Sequence, residues 1–248
     1  MRDAAAHYED FLAEHYTWMC GGLEPNVQRA TELLAGLDLR PKGGRLAVDL
    51  GAGSGFFSFA MERSGYEVVS IDLSNKLLNE LRERSGGLKI QAVTADLLDF
   101  AGYIDRPAEL IACTGDTLTH LGSLADVERL LGGAAGNLES RGSLLISYRD
   151  LAAELADLDR FIPVRSERDR IFTCALEYRS DHVLVTDLVH LFEDGEWTLY
   201  KSCYRKLRIP LRWLTEKLSE NGFEVKSSRI ERGMTTLLAA WSAAGSDS

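Results

Sequence analysis

The stretch that decides the fold is Asp49-Leu50-Gly51-Ala52-Gly53-Ser54-Gly55. It ends an apolar run over residues 46–50, which predicts a short buried strand, and it precedes residues 56–64, whose spacing predicts a helix. Glycines allow the backbone to turn sharply and let a ligand approach more closely than a Cβ would permit. Because the N-terminus of the following helix offers unpaired amide groups, the sequence predicts a strand, a ligand-binding turn and a helix.

Strands and helices alternate on the carboxyl side of this turn. Strands are predicted over 67–71, 89–94, 109–113 and 143–147, with helices over 74–84 and 123–138. This alternation is typical of a parallel sheet with helices on both faces. On the amino side, apolar residues at mixed three- and four-residue spacing predict two helices within residues 4–19 and 27–37.

The pattern changes after Arg149. A short helical stretch is followed by strand-like runs over 171–178, 183–192 and 197–209, separated by Ser180-Asp181 and Asp194-Gly195. These runs predict an antiparallel β insertion over about residues 152–209. A helix over 210–221 and strands over 224–230 and 235–241 then return to the first pattern. We therefore predict one α/β domain over residues 1–248, a doubly wound seven-stranded and mostly parallel sheet with an N-terminal helical lid over 1–40.

The composition excludes several classes of protein. A formal net charge of −10 argues against nucleic acid as a partner, because phosphates require a concentrated basic footprint. No apolar run approaches the ~18 residues of a membrane span, and the polar N-terminus does not resemble a signal peptide, so we expect a cytoplasmic protein without a membrane partner. The four scattered cysteines indicate neither a metal site nor a disulfide framework.

Acidic residues end the first three predicted strands, at Asp49, Asp72 and Asp96. The Asp72 carboxylate can accept hydrogen bonds from the vicinal hydroxyls of a ribose. Asp96 can accept from an adenine amino group, while the Leu97 amide faces the ring. In an open parallel sheet these positions meet at one edge, so the sequence predicts a cofactor that contains adenosine.

The spacing of the glycines distinguishes two such cofactors. A nicotinamide-binding turn needs its third glycine three positions after the second, where this chain has Phe56. Asp49 would also repel a pyrophosphate, whereas it would attract the cationic amine of S-adenosylmethionine (SAM). These features favour SAM, although Asp72 would serve a nicotinamide enzyme equally well.

At these residues the chain resembles the class I SAM-dependent methyltransferases, in which the seventh strand of the sheet is antiparallel. The resemblance implies that Gly51, Ala52 and Gly53 line the methionine portion of SAM and that Asp72 holds its ribose. It further implies that Leu73 packs on the adenine, that Asp96 and Leu97 read the adenine edge, and that the Thr114 backbone contacts the cofactor amino group. It also implies an N-terminal tyrosine beside the cofactor; Tyr16 is the candidate we name, and the spacing does not distinguish it from Tyr8.

A narrower resemblance concerns Cys113-Thr114-Gly115-Asp116-Thr117-Leu118-Thr119-His120-Leu121. This segment is similar to Gly-Asn-Ser-Phe-Ala-His-Leu of the glycine and sarcosine N-methyltransferases, and residues 146–150 are similar to their Asp-His-Arg-Asn-Tyr. The resemblance implies that Asp116 and Arg149 occupy positions that hold a substrate carboxylate. Because an Asp repels a carboxylate that an Asn would hold, glycine itself is not the expected acceptor.

Methyl transfer from a sulfonium is an in-line displacement, so the protein mainly holds the reactants collinear and excludes water. Asp116 and His120 are the candidate bases, and Arg149 completes the catalytic set. Aromatic side chains can surround the sulfonium through cation–π attraction, and Tyr8, Tyr16 and Trp18 are the candidates in the lid. The insertion adds Tyr178, Tyr200 and Tyr204, which could shape an acceptor pocket or a dimer contact.

We expect a SAM-dependent methyltransferase that acts on a small-molecule acceptor, with an amine nitrogen favoured as the methylated atom. Three alternatives stay open at this point. They are O-methylation of a small metabolite, an NAD-dependent oxidoreductase and a SAM-binding protein without catalytic activity. A homodimer is compatible with the sequence.

Overall fold

The computed structural model describes residues 4–241, which contain two β-sheets. The main sheet has seven strands in the order β10-β11-β5-β4-β1-β2-β3. Its strands are β1 (Leu46–Leu50), β2 (Glu67–Asp72), β3 (Ile90–Thr94), β4 (Ala108–Cys113), β5 (Leu138–Tyr148), β10 (Phe223–Glu231) and β11 (Met234–Trp241). Strand β11 runs antiparallel to β5 and β10, and the pairs among β1 to β5 are parallel. The predicted fold class is therefore confirmed.

Seven α-helices are described around these strands. They are α1 (Ala4–His7), α2 (Ala13–Met19), α3 (Leu23–Gly36), α4 (Phe56–Arg63), α5 (Asn75–Arg84), α6 (Leu124–Asn137) and α7 (Leu211–Glu220). A π-helical turn, Tyr8–Leu12, joins α1 to α2. Short 3₁₀ turns cover Leu97–Tyr103, Thr117–His120 and Asp157–Arg160. Side chains set two of the starts: Ser74 Oγ accepts from Leu77 N before α5, and Ser123 Oγ accepts from Asp126 N before α6.

Strand β1 lies at the centre of the main sheet, and all five of its residues are buried. It is covered on both faces, which is why its sequence is nearly continuous in apolar residues. At its end, Gly51 N and Ala52 N both donate to Ile71 O of β2, at 2.8 and 3.0 Å. The strand order reverses between β1 and β4, because β2 and β3 continue the sheet on the other side of β1. The glycine turn therefore lies where open α/β sheets bind ligands.

The second sheet is antiparallel, in the order β6-β7-β8-β9. Its strands are β6 (Phe161–Ser166), β7 (Arg170–Tyr178), β8 (His182–Glu193) and β9 (Glu196–Leu207). Three of these match the predicted insertion. Strand β6 has no predicted counterpart because it lies at an edge, is largely exposed, and carries Pro163 beside a break in register. On β8 the buried residues alternate, so that one face of this sheet packs inward.

The N-terminal helices pack over the carboxyl edge of the main sheet. Glu9 Oε2 accepts from the Ser74 hydroxyl at 2.7 Å and from Lys76 N at 3.2 Å, and the Thr17 hydroxyl donates to Glu80 Oε2 at 2.8 Å. These three hydrogen bonds fasten the N-terminal helices to the segment that includes α5. Within residues 4–241, no helix has the length and apolar composition required to cross a membrane.

Candidate functional site

Two adjoining cavities open at the carboxyl edge of the main sheet. The first cavity, about 520 Å³, extends along the ends of β1, β2 and β3. The second cavity, about 700 Å³, extends from β1 towards the second sheet. Five residues line both cavities: Tyr8, Tyr16, Gly51, Thr114 and Asp116. A ligand in one cavity can therefore meet a ligand in the other at these residues.

The glycine turn forms the common wall. Gly51 has a φ of 73°, and a Cβ at this position would come within 2.3 Å of the Thr117 side chain. Gly53 has a φ of 54°, and its Cβ would lie 3.4 Å from the Tyr16 ring. Side chains at these two positions would both strain the backbone and fill space beside the cavities. The turn is thus shaped to leave room for a ligand.

Asp72 is fixed by backbone amides at the side of the first cavity. Its Oδ2 accepts from Gly53 N at 2.8 Å and its Oδ1 accepts from Ser74 N at 2.7 Å. Burial raises the pKa of this carboxyl, and the backbone hydrogen bonds oppose the shift. A carboxylate can accept about four hydrogen bonds, so acceptor capacity is left for the hydroxyls of a ribose.

The far end of the first cavity has an exposed leucine and a strand-end acid. Leu73 is 52% exposed, which leaves an apolar surface on which a flat ring can pack. Asp96 caps the following 3₁₀ turn through a hydrogen bond from Leu98 N to Oδ1 at 2.9 Å, and it lines the cavity with Leu97. These positions are those expected for an adenine site. No group of three or more metal-ligating side chains is placed to hold a metal ion within the described residues.

Asp49 lies at the cofactor end of the second cavity, next to Ala52, and is 1% exposed. Its carboxylate accepts from the Ser58 hydroxyl at 2.6 Å. Burial raises the pKa of Asp49 to about 7, while the bond from Ser58 lowers it and the charge of Asp72 raises it further. A buried carboxylate with this pKa is stabilised by a nearby cation, and the amine of SAM would supply one.

Asp116 lies where the two cavities meet and is held by two basic residues. Its Oδ1 accepts from Arg149 N at 2.9 Å, and its Oδ2 accepts from Arg149 Nη1 at 2.6 Å and from Lys206 Nζ at 2.7 Å. Burial alone would raise the pKa of Asp116, but the charges of Lys206 and Arg149 outweigh burial and hold it well below its usual range. Asp116 is therefore an ionised carboxylate and a weak base.

The other candidate base, His120, lies beside the first cavity. Its Nε2 is 3.2 Å from the Tyr8 hydroxyl, and its ring stacks against Tyr204 at 5.5 Å. Burial lowers the pKa of His120 to about 3, and the charge of Lys206 adds to this effect. The imidazole is thus neutral near pH 7 and is also a weak base.

The lid contributes two tyrosines to the site. Tyr16 stacks on Phe56 with ring centroids 5.7 Å apart and faces Gly53. Tyr8 packs edge-on against His120 at 5.2 Å. Trp18 lines neither cavity, since its ring packs against the guanidinium groups of Arg165 and Arg170, at 5.7 and 4.7 Å.

The three tyrosines of the insertion also differ in whether they line a cavity. Tyr204 is buried and lines the second cavity. Tyr178 lies under the Arg208 guanidinium at 5.7 Å, and Tyr200 is 42% exposed and bonded to Glu193. Neither Tyr178 nor Tyr200 lines a cavity.

Sequence reasoning missed Lys206, which reaches Asp116 from a position 90 residues away in the chain. It also missed Asp187, which lines the second cavity and bonds to the buried His7 at 3.0 Å. A signal for Lys206 was present, because residues two apart on a strand share a face and Tyr204 was already a candidate. The positions of His7 and Asp187 require the tertiary structure.

The residues present fit SAM. The buried Asp49 suits its amine, the glycine turn leaves space for its methionine portion, and Asp72 with Leu73 and Asp96 suits its adenosine. Residues 47–142 match a family described as a methyltransferase domain. This match, together with the fold, confirms the resemblance to the class I SAM-dependent methyltransferases.

Two relatives with named activities align with less than half of the chain. A cypemycin N-terminal methyltransferase from Streptomyces sp. is 29% identical over 113 residues, which are 46% of this chain and 45% of the relative. A glycine/sarcosine/dimethylglycine N-methyltransferase from Actinopolyspora halophila is 31% identical over 117 residues, which are 45% of this chain and 20% of the relative. The chain thus aligns with less than half the length of either relative.

Similarity of fold extends further than similarity of sequence. An amino pentose methyltransferase from Micromonospora echinaspora, solved with SAM bound, superimposes with a TM-score of 0.73 over 92% of this chain and 96% of that protein. Sequence identity in this pair is 13%, so the likeness concerns the fold. Together the comparisons support an enzyme of the methyltransferase class and confirm SAM as its cofactor.

Proposed function

We propose that this protein transfers the methyl group of SAM to an amine nitrogen of a small-molecule acceptor. When bound, SAM supplies an electrophilic methyl group on a sulfonium. The glycine turn and Asp72 hold the cofactor along the first cavity, its amine reaches Asp49 at the adjoining end of the second cavity, and the acceptor enters the rest of the second cavity. The two cavities share Tyr8, Tyr16 and Asp116, so an acceptor nitrogen can reach the methyl group there while the lid excludes water.

One observation carries the preference for nitrogen over oxygen. Both candidate bases, Asp116 at the junction and His120 in the first cavity, have a lowered pKa, which is about 3 for His120 and lower still for Asp116. Neither group can deprotonate an aliphatic hydroxyl near pH 7. A neutral amine already carries the lone pair that would attack the methyl group, and the methylated ammonium would then lose its proton to solvent water. The site therefore suits an amine better than a hydroxyl.

We assign positioning roles to the charged groups at the junction. The ionised Asp116 can accept a hydrogen bond from the acceptor amine, while Lys206 and Arg149 fix the direction of its oxygens. Tyr8 and Tyr16 keep neutral hydroxyls, because burial raises the pKa of both. Their electron-rich rings would stabilise the cationic sulfonium. His120 holds the Tyr8 hydroxyl and does not need to transfer a proton.

The names of two relatives support an amine acceptor, since one is a glycine/sarcosine/dimethylglycine N-methyltransferase and the other is described as an N-terminal methyltransferase of cypemycin. We further propose that residues 1–40 act as a lid and that residues 152–209 shape the acceptor cavity within a single domain. The predicted homodimer stays a prediction, which sedimentation analysis would test. Its natural location is the outward face of the second sheet, where Trp197 and Leu199 are about half exposed.

The test is a transfer assay with methyl-labelled SAM on matched pairs of amines and alcohols that share an aliphatic, aryl or sugar scaffold. We expect label in the amine of at least one pair and none in the matched alcohol. Transfer to alcohols in preference to amines would establish the O-methyltransferase alternative. A protein that binds SAM by calorimetry and transfers label to no compound would be a SAM-binding protein without this activity. Tighter binding of NADH than of SAM would overturn the proposal entirely.

A further inference from the structure

The second cavity is larger than a small amino acid requires. At about 700 Å³ it lies within the range of pockets that hold drug-sized ligands, which is ~300–1,000 Å³. The methionine portion of SAM would occupy only the end formed by Asp49 and Ala52. An acceptor of five or six heavy atoms would leave the rest filled with water, so the volume indicates a bulkier molecule.

The part of the second cavity beyond the junction is apolar. We call it the acceptor compartment, and its apolar wall comprises Leu151, Ile162, Val164, Phe172, Leu176 and Val185. Strand pairing places several of these residues on one face: Leu176 is in register with Val185, and Ile162 is in register with Cys174, which also lines the second cavity. The wall thus comes from the inward face of the second sheet, which β6 extends at its edge.

The two carboxylates that border the acceptor compartment, Asp187 and Asp116, are already paired within the protein. Asp187 is 1% exposed and accepts from Cys174 Sγ at 2.9 Å, and it lies 3.0 Å from His7 Nε2. Asp116 is paired with Lys206 and Arg149. A ligand body in the compartment therefore meets apolar surface and does not need to neutralise an isolated charge.

From the volume, the apolar wall and the paired charges, we propose that the acceptor is an amine carried on a bulky apolar body, which the acceptor compartment takes up. This inference rests on the proposed function for the identity of the reacting nitrogen. Binding of the body would position the amine at Asp116, between the two cavities. Small amino acids would bind more weakly, because they bury little apolar surface.

The test uses methylamine, benzylamine and 1-naphthylmethylamine, with binding measured by calorimetry on protein saturated with S-adenosylhomocysteine. We expect affinity to rise at least tenfold from the smallest amine to the largest. Ile162→Trp, which fills the compartment, should weaken binding of 1-naphthylmethylamine at least fivefold. Ile171→Trp is the matched control, because Ile171 lies on the same sheet, is also about two-fifths exposed and lines neither cavity. The control should change binding less than twofold.

Equal affinity for the three amines, or equal effects of the two variants, would overturn the inference. Methyl transfer, measured on the same amines and on glycine, separates this result from a failure of the proposed function. Efficient transfer to methylamine and glycine, without preference for bulky amines, would support the proposed N-methyltransferase function. It would contradict the inference that the acceptor carries a bulky apolar body. Tighter binding of the bulky amines without methyl transfer to any amine would contradict the proposed function. It would still support the inference that the acceptor compartment binds a bulky apolar body.

Discussion

The two cavities differ in how the chain builds them. The first cavity is lined mostly by residues that immediately follow β1, β2, β3 and β4, so each residue is placed by a strand that ends beside it. The second cavity brings together the lid, the strand ends and the inserted sheet, and Lys206 meets Asp116 across 90 residues. A cofactor shared by many enzymes is thus bound by local structure, while the acceptor side depends on distant segments.

The largest effect is expected from Gly51→Ala. The new Cβ would lie within 2.3 Å of Thr117 on a backbone with a φ of 73°, so the turn must deform. We expect SAM affinity to fall by about 100-fold or more, a change of roughly 3 kcal/mol. Calorimetry would measure it, with Gly86→Ala as control, because a Cβ at Gly86 meets nothing within 4 Å. Unchanged affinity in Gly51→Ala would remove the turn from the cofactor site.

The second prediction distinguishes the acceptor site from the cofactor site. Asp116→Asn leaves Lys206 and Arg149 without their carboxylate and removes the acceptor's proposed partner. We expect kcat/KM for the acceptor to fall about 30-fold, roughly 2 kcal/mol, with SAM affinity changed less than threefold. If SAM affinity fell as much as kcat/KM, Asp116 would belong to the cofactor side.

A smaller effect is expected on SAM affinity when the pH is changed. Asp49 has a pKa of about 7 in the cofactor-free protein, and the cationic amine of SAM should lower it on binding. The complex then binds fewer protons than the free protein, so SAM affinity should rise with pH up to about 7 and fall about tenfold per pH unit below it. Titration calorimetry between pH 5.5 and 8 would measure this slope. The same slope in Asp49→Asn would assign the proton to another group.

The smallest effect compares two tyrosines of β9. Tyr204 stacks on His7 at 4.0 Å and lines the second cavity, whereas Tyr200 is exposed. We expect Tyr204→Leu to lower kcat/KM about fivefold and to reduce the free energy of unfolding by about 1 kcal/mol through the lost ring contacts. Tyr200→Leu should change both by less than measurement error. Equal changes in kcat/KM and in the free energy of unfolding for the two variants would contradict the assignment of Tyr204, and not Tyr200, to the second cavity.

The parts predicted from sequence are those set by short-range chemistry. The alternation of strands and helices, the glycine turn and the strand-end acids follow from spacing and backbone geometry, and the sheet order then brings Asp49 and Asp72 together. Strand β6 could not be predicted, because an exposed edge strand with Pro163 lacks the apolar alternation of a paired strand. Of the two cationic partners of Asp116, Arg149 follows β5 and is named from the sequence, whereas Lys206 reaches Asp116 only when the second sheet packs against the main sheet.

The π-helical turn Tyr8–Leu12 has a consequence for the register of the lid. In an uninterrupted α-helix, residues eight apart point about 80° away from each other. A π turn accommodates one extra residue, so the eight-residue step from Tyr8 to Tyr16 spans nearly two whole turns, and the two rings come within 6.0 Å on one side. The turn therefore acts as a one-residue insertion that aligns both tyrosines with the cavities. Shortening this segment by one residue would restore an ordinary helix and keep that alignment, whereas a second insertion would rotate Tyr8 away from His120.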